Sequence, residues 1–110
     1  MGEPALVYHY TDQPGWNAIR SQNDWTFKAS QPPGDRPYGV YFTTLRIDAI
    51  KFSKKTRIPV EKQQYVFAFI GNDGLEERDD GKRPYILLSP VDYVVVENRQ
   101  RYADRSETMP

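Results

Sequence analysis

The amino-acid sequence predicts a single α+β domain with two short helices. Three observations carry that expectation. The chain has 110 residues, the size of one ordinary domain with one core. Aromatics make up 14% of it, so Trp16, Trp25, Phe27, Tyr41, Phe42, Phe67 and Phe69 have to supply much of the buried area. The periodicity reads strand, helix, strand, loop, strand, helix and three strands, which lacks the regular βαβ alternation of a doubly wound fold.

Each element has its own signal. Residues 5–9 are a short apolar and aromatic run that reads as a strand, followed by Thr11 and Asp12 as helix caps. Pro14 suits a first helical turn, and Trp16, Ala18 and Ile19 give a short helix one apolar face. Trp25, Phe27 and Ala29 alternate with Thr26 and Lys28, the pattern of a half-buried strand. Residues 30–39 hold three prolines and two glycines, which marks an exposed loop. Residues 40–44 are a β-rich run, and Ile47, Ala49, Ile50 and Phe52 predict an amphipathic helix reaching Lys54. The clearest strand spans residues 64–70. A polar loop is expected over 71–84, then strands over 85–88 and 92–97. The domain is assigned to residues 1–98, and the polar, aperiodic residues 99–110 read as a flexible tail.

Composition narrows the function classes. Lys plus Arg and Asp plus Glu number 15 each, so no broad basic face is indicated and there is no strong nucleic-acid signature. Lys51, Lys54, Lys55 and Arg57 read as a solvated helix end. With no cysteine and one histidine, thiolate zinc sites and cysteine nucleophiles are excluded, and no metal is expected. There is no glycine-rich phosphate fingerprint of the Rossmann or P-loop kind. No signal peptide and no membrane-crossing run is read, which suits a cytoplasmic protein or one delivered into a target cell.

The polar groups that stand out lie at the ends of apolar strands, where a fixed backbone can aim a side chain into a cleft. His9 closes the first strand, in Val7-Tyr8-His9-Tyr10-Thr11. Tyr41 lies in Gly39-Val40-Tyr41-Phe42-Thr43-Thr44, and Asp92 opens the run Asp92-Tyr93-Val94-Val95-Val96-Glu97. Each has a plain alternative: a hydrogen-bonded structural histidine, a core tyrosine, and an aspartate capping a turn.

Taken in order, from about Leu6 to Glu97, these segments resemble the H-Y-E class of ADP-ribosyltransferases, which includes diphtheria toxin and the poly-ADP-ribose polymerases. The most specific piece is Gly39-Val40-Tyr41-Phe42, which is similar to the Gly-x-Tyr-Phe strand of that class and is followed by a helix carrying a second aromatic, Phe52. Asp92 stands where the class has Glu, as in the H-Y-D variants found among polymorphic bacterial toxin domains.

The resemblance implies a small split β-sheet and NAD as substrate. His9 would bond the adenosine ribose, with the backbone of Tyr10 near the nicotinamide amide. Tyr41 would stack on the nicotinamide, Phe52 would close its other face, and Asp92 would meet the 2′-hydroxyl of the nicotinamide ribose. Where the family has a serine for the amide, Ala49 stands; Thr43 and Thr44 are the nearby hydroxyls. Breaking the glycosidic bond builds positive charge on the ribose, which a fixed carboxylate stabilises more than it does the ground state. Cationic nicotinamide leaves without a general acid, so one carboxylate suffices. The implied activity is transfer of ADP-ribose to an acceptor the sequence does not name, selected by loops 31–37 and 75–83. The alternatives are an NAD glycohydrolase and an inactive binding module of the same fold, and an immunity or neighbouring domain is a further implied partner.

Overall fold

Strands β1 (Leu6–Thr11) and β4 (Tyr65–Ile70) lie side by side in the middle of the sheet, and their near-continuous apolar sequences, LVYHYT and YVFAFI, suit burial on both faces. They belong to the computed structural model of the chain, which describes residues 6–32, 36–78 and 83–110. The remaining elements are α1 (Gln13–Arg20), β2 (Trp25–Phe27), β3 (Val40–Thr43), α2 (Phe52–Thr56), β5 (Glu76–Arg78), β6 (Arg83–Ser89), β7 (Tyr93–Val95) and β8 (Gln100–Arg105). Six strands form one sheet in the order β5-β6-β3-β1-β4-β8, and β2 and β7 form a separate two-stranded ribbon. Every described pairing is antiparallel. The α+β class with two helices therefore holds.

Alternation along the strands sorts the side chains into two cores. On one face Val7, Phe42, Phe67, Phe69 and Leu87 meet the inner side of the ribbon, Trp25, Phe27, Tyr93 and Val95. Trp16 and Ile19 of α1 pack on the same cluster. On the other face Tyr8, Tyr10, Val66 and Ala68 are covered by Phe52 of α2 and by Leu45, Ile47, Ile58 and Met109. Helix α1 begins as its sequence predicts: the Asp12 carboxylate accepts from the Gly15 N–H at 3.0 Å, and Pro14 sits in the first turn.

Four expectations are corrected. The helix predicted over Ile47, Ala49 and Ile50 starts only at Phe52. Ala49 and Phe52 instead close successive turns on the carbonyls of Arg46 and Ala49, and Lys51 at φ 58 is left-handed, which a continuing helix does not allow. Ile50 is correspondingly exposed. The polar loop 71–84 contains β5, a hairpin partner of β6; residues 79–82 of it lie outside the described residues. The strand expected over 92–97 is ordered as β7 over Tyr93–Val95 only.

The fourth correction concerns residues 99–110. They fold as β8, paired with β4 from Tyr65↔Arg105 to Phe69↔Gln100, followed by a 3-10 turn, Ser106–Thr108. An edge strand shows one backbone edge and many side chains to water, so its sequence stays polar and its period is weak. Tyr102 packs on the second core and Ala103 on the first. Arg99 donates to the carbonyls of Ile70 and Gly71 and to the Tyr93 hydroxyl at 2.8–3.0 Å, and lies over the rings of Phe69 and Tyr93.

Truncation after Asn98 is therefore expected to destabilise the protein by on the order of 3 kcal/mol or more, because it unpairs one edge of β4 and removes the Arg99 clamp. Urea unfolding of the truncated chain checks this; a midpoint equal to that of the full chain would show that β8 contributes nothing.

Candidate functional site

The antiparallel pairing of β1 and β3 brings the end of one strand beside the start of the other. β1 is in register with β4 along its whole length, from Leu6↔Ile70 to Thr11↔Tyr65, but with β3 through Tyr8↔Thr43 alone. A half-open cleft of about 430 Å³ lies beyond that pair. Its floor includes Tyr8, Tyr10, Tyr41, Thr43 and Ile86. The end of β2 and the proline-rich loop form one wall through Lys28, Ser30, Gln31 and Arg36. The segment after α2 forms the other, with Thr56, Ile58, Pro59 and Lys62.

Both walls are held by specific geometry. Ser30 and Gly39 exchange backbone hydrogen bonds at 3.0 and 2.9 Å and close the loop on itself. Gly39 has φ 151, and a Cβ there would run into the Ser89 carbonyl and the Leu88 side chain, so the glycine of the Gly39-Val40-Tyr41-Phe42 run is required sterically. The opposite wall is knit by Gln63, whose Nε2 donates to the Ile58 carbonyl at 2.7 Å and the Ser53 hydroxyl at 2.9 Å. Arg57, which caps α2, is left-handed at φ 58, and its carbonyl accepts from Arg36 at 2.9 Å, a bond that joins the two walls.

His9 and Tyr41 both line this cleft. Strand alternation sends the His9 ring to the ribbon-covered face, 4.8 Å from Phe27 and 5.4 Å from Phe42 between ring centroids. Its Nδ1 lies 3.0 Å from the Tyr41 carbonyl oxygen. A carbonyl only accepts, so Nδ1 carries the proton and Nε2 keeps a lone pair, able to accept a bond from a ligand hydroxyl. Burial among these rings lowers the imidazole pKa from 6.5 to about 4, partly offset by the bond to Tyr41, so the ring is neutral at physiological pH. The Tyr41 hydroxyl donates to the Pro37 carbonyl at 2.6 Å, which fixes the ring against the loop.

The other sequence candidates are placed differently. Tyr10 and Thr43 line the cleft, with hydroxyls committed to the carbonyls of Leu45 and Tyr85. Thr44 is exposed and gives its backbone N–H to Tyr85. Phe52 does not line the cleft: it is 5% exposed and meets Tyr10 edge-on at 5.0 Å in the second core. Asp92 does not line the cleft either. Its Oδ1 accepts from the Ala29 N–H at 2.8 Å, and its Oδ2 lies 3.7 Å from the Lys28 ammonium.

Sequence reasoning missed the charged residues of the lining. Those described are Lys28, Arg36 and Lys62, all basic and drawn from three separate segments. Nothing in their local pattern marks them. The run Lys51, Lys54, Lys55 and Arg57, which a charge scan finds first, is exposed and outside the lining. Lys62 pairs with Asp12 at 2.6 Å, and that bond, with the one from Gly15, holds the Asp12 carboxyl below its usual range. A second depression, lined mainly by polar residues such as Gln13, Gln63, Arg105 and Glu107, brings none of the candidates together. Among the described residues no group of three or more His, Asp or Glu could hold a metal, and no helix is long and apolar enough to cross a membrane.

The buried neutral His9 makes stability depend on pH. Its folded pKa lies below its unfolded one, so the folded chain rejects a proton that the unfolded chain takes up. Stability is full above pH 6.5 and falls as pH drops toward about 4, by about 1.4 kcal/mol per unit at most. Below that it levels off. His9→Gln is expected to flatten this part of the profile, measured as unfolding free energy between pH 7 and 4; an equal slope in both proteins would show the ring to be solvated.

No protein-family model, curated protein or solved structure matches this chain.

Proposed function

We propose that this protein binds NAD in the cleft between β1 and β3 and acts as an ADP-ribosyltransferase on an acceptor still to be identified. The observation that carries the reading is that His9 and Tyr41, from two strands joined by the bond between the His9 ring and the Tyr41 carbonyl, both line one half-open cleft of about 430 Å³, a size that suits a substantial part of a nucleotide. His9 offers an acceptor for a ribose hydroxyl. Tyr41 offers an aromatic wall for the flat cationic ring, an attraction of about 0.5–2 kcal/mol.

In the reaction, the bond between C1′ of the ribose and the nicotinamide nitrogen breaks, and its electron pair leaves with nicotinamide. The acceptor's nucleophilic atom then bonds to C1′ and releases its proton to solvent. Positive charge on the ribose peaks between these events, and Asp92 is the carboxylate assigned to it. It lies outside the lining, paired with Lys28 at 3.7 Å. Water in place of the acceptor makes the same site an NAD glycohydrolase, and the half-open cleft admits water.

A second reading is an NAD- or ADP-ribose-binding module without turnover. It is favoured by one observation: the Asp92 carboxylate already has two partners, the Ala29 N–H and Lys28.

Incubation with NAD, following free nicotinamide, separates the readings, and absence of release from a folded, NAD-binding protein rejects the enzyme. In an active protein Asp92→Asn is expected to lower turnover by about a hundredfold or more with NAD affinity preserved. The amide oxygen still accepts from Ala29, and the lost pair with Lys28 is exposed, so the fold is retained. Parental turnover in Asp92→Asn would reject the assigned role. Tyr41→Ala is expected to weaken NAD binding about tenfold, read by calorimetry; unchanged affinity would make Tyr41 only a support for the loop.

A further inference from the structure

Lys28, Arg36 and Lys62 stand in the cleft lining of a chain whose net charge is zero, so their convergence does not follow from composition. Each comes from a different segment: the end of β2, the proline-rich loop, and the 3-10 turn Val60–Lys62. Each is held by a neighbour at the rim. Lys28 faces Asp92 at 3.7 Å, Lys62 faces Asp12 at 2.6 Å, and Arg36 is pinned across the walls by its bond to the Arg57 carbonyl. The Lys28 pair is long and its side chains are 77% and 48% exposed, so it holds Lys28 weakly. Both aspartates lie outside the lining, while all three cations lie within it.

We propose that Lys28, Arg36 and Lys62 form a clamp for the diphosphate of a nucleotide, and that the ligand takes the two lysines over from Asp92 and Asp12. The inference deepens the NAD reading and rests on it for the site, but it concerns binding and needs no turnover. A diphosphate brings two negative charges and several acceptor oxygens, enough for three donors that converge from both walls. Arg36 is the fixed member, because its guanidinium is already bonded to the Arg57 carbonyl. The two lysines are the mobile ones, with exposed ammonium groups on flexible stems.

The exchange has a consequence for Asp92. Once Lys28 turns to phosphate, the carboxylate keeps only the Ala29 N–H and its full charge is directed at whatever lies beside it. Phosphate binding and the availability of the acid are thereby coupled through one lysine. The aspartates compete with the ligand for the same cations, so neutralising either one favours the ligand.

Calorimetric titration of the full chain with ADP and with adenosine, at low and high salt, tests the clamp. ADP is expected to bind, adenosine to bind about tenfold or more weakly, and the ADP affinity to fall with salt. Lys28→Ala and Lys62→Ala are each expected to weaken ADP binding about tenfold, whereas Asp12→Asn and Asp92→Asn bind ADP at least as tightly as the parent. That opposite response of lysine and aspartate variants is one a merely structural role does not give. The clamp is overturned if adenosine matches ADP, if ADP does not bind, if the lysine variants bind like the parent, or if the aspartate variants weaken binding. Binding of ADP in the expected pattern without nicotinamide release from NAD upholds the clamp and rejects the transferase. Parental KM for NAD in both lysine variants rejects the clamp and leaves the transferase standing.

Discussion

The seating of Phe27 against the sheet is the contact on which the rest of the molecule depends. Phe27 is fully buried and its ring lies within 4.8–6.5 Å of His9, Trp25, Phe42, Phe67 and Phe69. Burying one such ring stabilises by about 1.5–3 kcal/mol, and edge-to-face neighbours add about 0.5–1.5 kcal/mol each. A two-stranded ribbon is not stable alone, so β2 and β7 exist because this face accepts them. The same contact sets up the site. The Phe27 ring desolvates His9, which keeps the imidazole neutral, and the bond to the Tyr41 carbonyl selects its tautomer. The residues that follow Phe27, from Lys28 to Gln31, become a wall of the cleft.

The cleft itself is a product of incomplete pairing. β1 and β3 share one register pair, and the space beyond it is kept open by two braces, the Ser30–Gly39 bridge on one side and the segment from α2 to Lys62 on the other. The second brace holds Lys51 and Arg57 in the left-handed region without glycine, at about 1–2 kcal/mol each. Burial of Phe52 and Thr56 between those two residues offsets that strain. Charge is divided likewise among the described residues: Lys28, Arg36 and Lys62 belong to the lining, while Asp12 and Asp92 lie outside it, pair with Lys62 and Lys28, and also accept from the backbone of α1 and of Ala29.

The sequence by itself determined the α+β class, most strand positions and the capped start of α1, because alternation, ring content and an Asp-x-Pro start act over a few residues. His9 and Tyr41 were legible for a related reason: each sits near the end of an apolar strand, where direction is set locally. The turns over 47–50 and the strand β8 are not legible locally, because turns can pack Ile47 on the core as well as a helix can, and because an edge strand carries no period of its own. Only the tertiary structure decided that Phe52 belongs to the core and that Asp92 lies outside the lining, bonded to the Ala29 N–H and paired with Lys28. The same holds for the convergence of Lys28, Arg36 and Lys62 on one cleft. Those facts depend on contacts between segments far apart in the chain, which strand register and ribbon packing set and no local pattern encodes.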